Sequence, residues 1–127
     1  MKTRMINAPD VFVPSSGYAQ AVELTGHQRL LFISGQVPIT KDEQLPEGFT
    51  AQCELVWQSL ISQLKAADMD VENLVKITIF LPSRDHISES KDIRLRMLGD
   101  HTPALTVVFA DMYTDAWLLE IEAIAAA

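Results

Sequence analysis

Apolar residues in this chain fall into short runs divided by turn-forming residues, and the period of those runs changes along the sequence. Lys2 to Asn7 reads as a short edge strand and Tyr18 to Leu24 as a second strand. Thr25-Gly26-His27-Gln28 then supplies turn chemistry. Leu30 to Ser34, LLFIS, is a buried strand closed by Gly35, and Pro38 to Gly48 is a polar loop. From Thr50 to Ala67 the period becomes helical. Cys53, Val56, Trp57, Leu60, Ile61, Leu64 and Ala67 recur at i, i+3, i+4 and i+7, while Gln52, Gln58, Ser59, Ser62, Gln63 and Lys65 fall mostly on the other side. Val75 to Leu81, VKITIFL, is β-branched and ends at Pro82, as a strand does. Ile87 to Leu98 is a second helix ended near Gly99, Ala104 to Phe109 is a strand, and Trp117 to Ala126 is the last strand.

This order predicts an α/β (α+β) domain: a mixed sheet of about six strands with both helices on one face. The other face would then meet water. Yet LLFIS and TVVF are apolar at successive positions, so both faces of the sheet require cover. A second subunit layer supplies it, and association with further copies of the chain follows from this argument alone.

The 127 residues suffice for a single domain, 1–127, around one core. Hydrophobic residues make up 48% and charged residues 21%, a folded rather than disordered balance. The apolar runs, of roughly four to eight residues, are too short to cross a bilayer, so no membrane partner is expected. MKTRMINAPDVF carries basic residues without an apolar stretch after them and does not read as a secretory signal. The single cysteine, Cys53, excludes an internal disulfide, and the cytoplasm is the expected compartment. Net charge is −7, and the Lys and Arg residues are scattered except for Lys91, Arg94 and Arg96, read as a solvated helix face. Nucleic acid is therefore not expected as a partner.

Three segments in order bear a family resemblance: Gly17-Tyr18-Ala19-Gln20-Ala21; Phe32-Ile33-Ser34-Gly35-Gln36-Val37-Pro38; and Pro103-Ala104 followed by Leu119-Glu120-Ile121-Glu122-Ala123-Ile124-Ala125. Ala51-Gln52 and Glu72-Asn73-Leu74-Val75-Lys76 fit the same order. From about Tyr18 to Ala127 the chain resembles the Rid family, the YjgF-like proteins. The resemblance implies a chorismate-mutase-like fold, a homotrimer, and small-molecule clefts between subunits. It also implies hydrolysis of reactive imines such as 2-iminopropanoate and 2-iminobutanoate, without a cofactor. In the best-known members an arginine after the Pro-Ala pair binds the substrate carboxylate. Here Leu105 stands in that place, and leucine offers neither charge nor donor. The departure makes ordinary deaminase activity doubtful, unless another basic residue such as Arg96 or His101 substitutes.

The resemblance makes Tyr18 and Glu120 the catalytic candidates, with Glu120 placing the attacking water, and Ser34, Gly35, Gln36 and Leu105 the substrate-binding candidates. Each has a plainer reading. Tyr18 is otherwise an aromatic packed at a strand start. Glu120 and Glu122 share a strand face, where buried acids need partners; an inter-subunit ion pair also explains them, and it is the reading taken for Glu122, with function taken for Glu120. Gly35 either admits a ligand or permits a bulge, and Leu105 either lines the cleft or belongs to the core. His27 and His101 read as surface residues with no second ligand at metal spacing, so no metal is expected. Cys53 reads as a small core residue. Ser15-Ser16 and Ser83 have no partner motif, and the chain holds no phosphate loop, CxxC or HExxH pattern. Older names given to relatives, translation inhibitor or endoribonuclease, fit poorly with so acidic a chain. Two functional classes follow: a cofactor-free hydrolase of imine-like metabolites, and a non-catalytic ligand-binding or regulatory module.

Overall fold

A computed structural model describes residues 1–15 and 17–127; Ser16, noted above beside Ser15, lies outside the described residues. The elements are β1 (Lys2–Ile6), β2 (Ala21–Thr25), β3 (Leu30–Gln36), α1 (Phe49–Ala66), β4 (Leu74–Leu81), α2 (Ile87–Leu98), β5 (Ala104–Phe109) and β6 (Glu120–Ala126), with single 3-10 turns at Val71–Asn73 and Arg84–His86. The mixed α+β architecture is the one expected.

The strands do not all join one sheet. Four make a mixed sheet in the order β3-β6-β4-β5, and β1 pairs with β2 in a separate antiparallel ribbon. A lone parallel bridge from Ala19 to Ala104 joins the loop before β2 to the edge of the sheet. The second strand starts at Ala21 rather than Tyr18, because Gln20 N–H donates to the Asn7 side chain at 2.9 Å. The last strand starts at Glu120 rather than Trp117 for a similar reason. Leu118 N–H donates to Gln52 Oε1 at 2.9 Å, away from any neighbouring strand. Gln52 itself is buried, not on the polar side of α1, and its amide also donates to the carbonyls of Pro46 and Ala116, both at 3.1 Å.

β3 and β4 both run antiparallel to β6 and are therefore parallel to each other; β5 is parallel to β4. Parallel neighbours need crossovers, which α1 and α2 supply. Both crossovers step the same way along the sheet, and a common hand then puts both helices on the same face. Under them Ile33, Ile77, Ile79, Leu81, Ile121, Ala123 and Ala125 pack against Cys53, Val56, Trp57, Leu60 and Leu64 of α1 and Ile93 and Leu98 of α2. Ala123 and Ala125 on the central strand let α1 lie close.

The opposite face is bare. Phe32 is 70% exposed and Leu30 48%, and Phe80, Val108 and Ile124 are only half-buried on the same side. The basic cluster of α2 does not form a solvated face throughout. Lys91 and Arg96 are exposed, whereas Arg94 is buried with Ser90, Ile93 and Leu98, because it falls on their inward stripe at helical spacing.

Leu60 is fully enclosed between α1 and the sheet. Leu60→Ala is expected to cost about 2–5 kcal/mol of stability, read by chemical denaturation at fixed protein concentration. A loss under about 1 kcal/mol would mean that α1 is not held by this core.

Candidate functional site

One side of the bare face, along the edge strand β3, is shaped by an irregularity in that strand. Ile33 pairs with Ala123 and Gln36 with Ile121, so Ser34 and Gly35 together oppose Glu122. The extra residue is a β-bulge, which re-aims the side chains around it. Glu120, at the start of β6, lays its carboxyl group over the backbone of Gly35. A Cβ at Gly35 would lie 2.7 Å from Glu120 Cδ and 2.9 Å from its Cγ, and closer still to Oε2. Gly35 is thus needed for close approach: only hydrogen leaves room for this carboxylate. Glu120 is half-buried, and among the described residues its carboxylate has no ion pair and no hydrogen-bond donor.

Beside it, Glu122 faces the same side, opposite Thr78 on β4. Lys76, two residues from Thr78, has its pKa lowered by desolvation on burial, an effect that the charge of Glu122 opposes. Its ammonium donates to Thr106 Oγ1 at 2.6 Å. A cavity of about 200 Å³ opens along Phe32, Ser34, Gly35, Glu122 and Ile124.

The structure brings Ser34, Gly35 and Glu120 together and sets the other candidates apart. Gln36, in register with buried Ile121, turns to the helix side, where its amide donates to Ser34 O at 2.8 Å. It borders a groove of about 630 Å³ between β3 and α1. Leu105, in register with Ile77, also points to the helix side and packs against the core. Tyr18 lies beyond β5, next to the Ala19–Ala104 bridge. Three strand spacings separate that position from β6, about 14 Å at 4.8 Å per strand. Within one subunit, Tyr18 and Leu105 belong to one locality and Glu120 to another.

Arg94 belongs to the first locality and was missed in the sequence as a functional candidate. Gly17, with φ at 75°, presses against α2 so closely that a Cβ there would collide with Leu95 and lie 3.6 Å from Arg94 Nη2. Burial lowers the Arg94 pKa by desolvation, and the neighbouring Tyr18 phenol opposes that shift. Its inward spacing with Ser90 and Ile93 was the available signal.

The remaining candidates have plain roles. Cys53 is wholly buried, and burial, with Glu54 next in effect, pushes its thiol up to about 12, so it stays protonated and unreactive near neutrality. His101 is not a free surface residue: its Nε2 lies 2.7 Å from Leu74 O. His27 is exposed. Ser83 caps the 3-10 turn at Arg84–His86 by accepting from Asp85 N–H at 3.1 Å. No group of three or more His, Cys, Asp or Glu able to hold a metal occurs among the described residues. Among the described residues no helix is long and apolar enough to cross a membrane.

The family profile described as Endoribonuclease L-PSP matches residues 5–127. Protein HMF1 of Saccharomyces cerevisiae is 32% identical over 113 residues, 88% of this chain and 85% of that one. A crystal structure of YyfB from Yersinia pestis, of the conserved Rid protein family, superposes with a TM-score of 0.85 at 25% identity, covering 100% of both chains. TdcF of E. coli, crystallised with bound serine, shares the fold with a TM-score of 0.73 at 23% identity, covering 98% of each chain.

The packing of Glu120 over Gly35 predicts a coupled pair. Gly35→Ala is expected to destabilise the protein by about 1–3 kcal/mol, because the added methyl has no space. Most of that loss should return when Glu120→Ala is combined with it, read as a double-mutant cycle in denaturant. Strictly additive effects would show that the two residues do not touch.

Proposed function

From the premise that this chain belongs to the Endoribonuclease L-PSP family, the Rid or YjgF-like proteins, we propose that it forms a homotrimer that binds and hydrolyses small imine- or enamine-like metabolites in clefts between its subunits. The observation that carries the reading is the Glu120 carboxylate, half-buried on a largely apolar face, seated over a glycine and left without a partner in the described chain. An acid retained in such a place at a cost is a functional candidate.

In the proposed reaction, Glu120 accepts a proton from a water molecule as that water attacks the imine carbon. The C–O bond forms as the C=N π pair moves to nitrogen. Return of that proton to nitrogen gives a carbinolamine; its hydroxyl proton then passes by way of Glu120 to the same nitrogen as the C–N bond breaks, which releases ammonia, leaves a carbonyl compound and restores the carboxylate. General-base help of this kind is typically worth about 10²–10⁴-fold. No cofactor enters this scheme. The serine bound in TdcF supports the binding of a small polar metabolite by a protein of this fold. Because Tyr18 and Glu120 lie about three strand spacings apart in one subunit, a shared site needs Tyr18 from one subunit and Glu120 from its neighbour. The exposed Phe32 and Leu30 are then the surface along which the subunits join.

The assembly is tested by analytical ultracentrifugation: a trimer is expected at micromolar concentration, and a monomer as the main species would reject it. Chemistry is tested with imine generated in place by an amino-acid oxidase and trapped by semicarbazide. The parent should outpace the buffer reaction, and Glu120→Gln should lose roughly 10²-fold or more of that rate while melting close to the parent. Glu120→Gln folded and equally active would remove Glu120 from the chemistry. A trimer that binds metabolites but hydrolyses no imine would instead be a ligand-binding module.

A further inference from the structure

We infer that Arg94 is the anion anchor of this protein: from α2 its guanidinium takes the carboxylate of a small ligand beside Tyr18, supplying the charge that Leu105 lacks. The inference rests on the cleft reading given above and deepens it by naming the charge that the substrate carries.

Arg94 is the buried charged residue of the described chain, 6% exposed. Its Nε is completely enclosed without a hydrogen-bond partner, and no ion pair reaches the guanidinium among the described residues. A guanidinium cannot escape this cost by losing its proton. A buried cation without a counter-charge is strongly unfavourable, so a partner is expected from outside the described chain. Glu54 lies 3.7 Å from Arg96, and Glu89 accepts from Thr50 and lies against His86, so neither is the partner of Arg94.

Three features direct the group to one place. Gly17 brings the loop within reach of Nη2, since any side chain there would meet Leu95. Tyr18 follows directly, with its phenol close enough to influence the guanidinium. Ala19 bridges Ala104, so Tyr18 and Leu105, on alternate positions from that bridge, lean to the same helix side. A guanidinium with no counter-charge among the described residues suits a small carboxylate, because it presents two parallel N–H donors to two oxygens.

The test uses the purified full-length chain with pyruvate as the anionic probe and pyruvamide as its neutral counterpart. Titration calorimetry should show pyruvate bound and pyruvamide bound at least tenfold more weakly. Arg94→Gln should weaken pyruvate binding by roughly ten- to a hundred-fold, the usual worth of a charge-assisted pair, with Arg94→Lys between. Arg94→Leu combined with Leu105→Arg should regain part of the loss. Should the variants fold poorly, the parent decides alone: pyruvate must shift the Arg94 Nε–H resonance in nitrogen-15 NMR. An unmoved resonance, or Arg94→Gln binding pyruvate as the parent does, would overturn the inference and leave Arg94 a structural residue. Arg94-dependent pyruvate binding in a protein that hydrolyses no imine would sustain the anchor and sink the hydrolase reading.

Discussion

The pairing of β6 between β3 and β4 is the constraint on which the rest of this molecule depends. This last strand of the chain lies in the middle of the sheet, antiparallel to both neighbours. That placement makes β3 and β4 parallel, forces helical crossovers, and puts both helices on one side. It also divides the residues of β6 between two environments. Ile121, Ala123 and Ala125 lie under α1, and Glu120, Glu122 and Ile124 face the uncovered side. A slip by one residue would bury both acids in the core and expose the apolar set, so the register is firmly held.

The two localities proposed to carry function arise from that same division. On the bare face the bulge at Ser34-Gly35 makes room for the Glu120 carboxylate, in a setting of aromatic and aliphatic side chains. At the far edge, the loop carrying Gly17 and Tyr18 closes on α2 and the start of β5, bringing a buried guanidinium to the strand that lacks one. A single subunit keeps these places apart. The uncovered apolar face both favours association and, in the proposed trimer, unites the two halves.

Leu105 changes meaning in this setting. By itself it marks the position where the family resemblance leads one to expect a carboxylate-binding arginine. In the proposed anchor the charge arrives from a helix instead of a strand. The length and fork shape of an arginine side chain allow such an exchange of position, since recognition depends on where the donors end and not on which Cα they start from.

The family, the two helices and the apolar strands were legible in the sequence because each is written in local periods: 3.6 residues along α1 and α2, β-branched runs in β4 and β5. The tie of Glu120 to Gly35 was half legible. Motif order named both residues, but only the bulge opposite Glu122 shows that one lies on the other. Boundaries near Tyr18 and Trp117 were misplaced because side chains distant in sequence, Asn7 and Gln52, take the backbone donors there. The sequence by itself determined the class of fold and its family, since composition, periodicity and motif order are properties of neighbouring residues. Tertiary structure alone decided that Arg94 is a buried cation and not part of a solvated basic face, that Leu105 turns toward the helices, and that Tyr18 and Glu120 stand strands apart. Those facts depend on which faces meet after the chain has crossed over itself twice, and no local pattern records that.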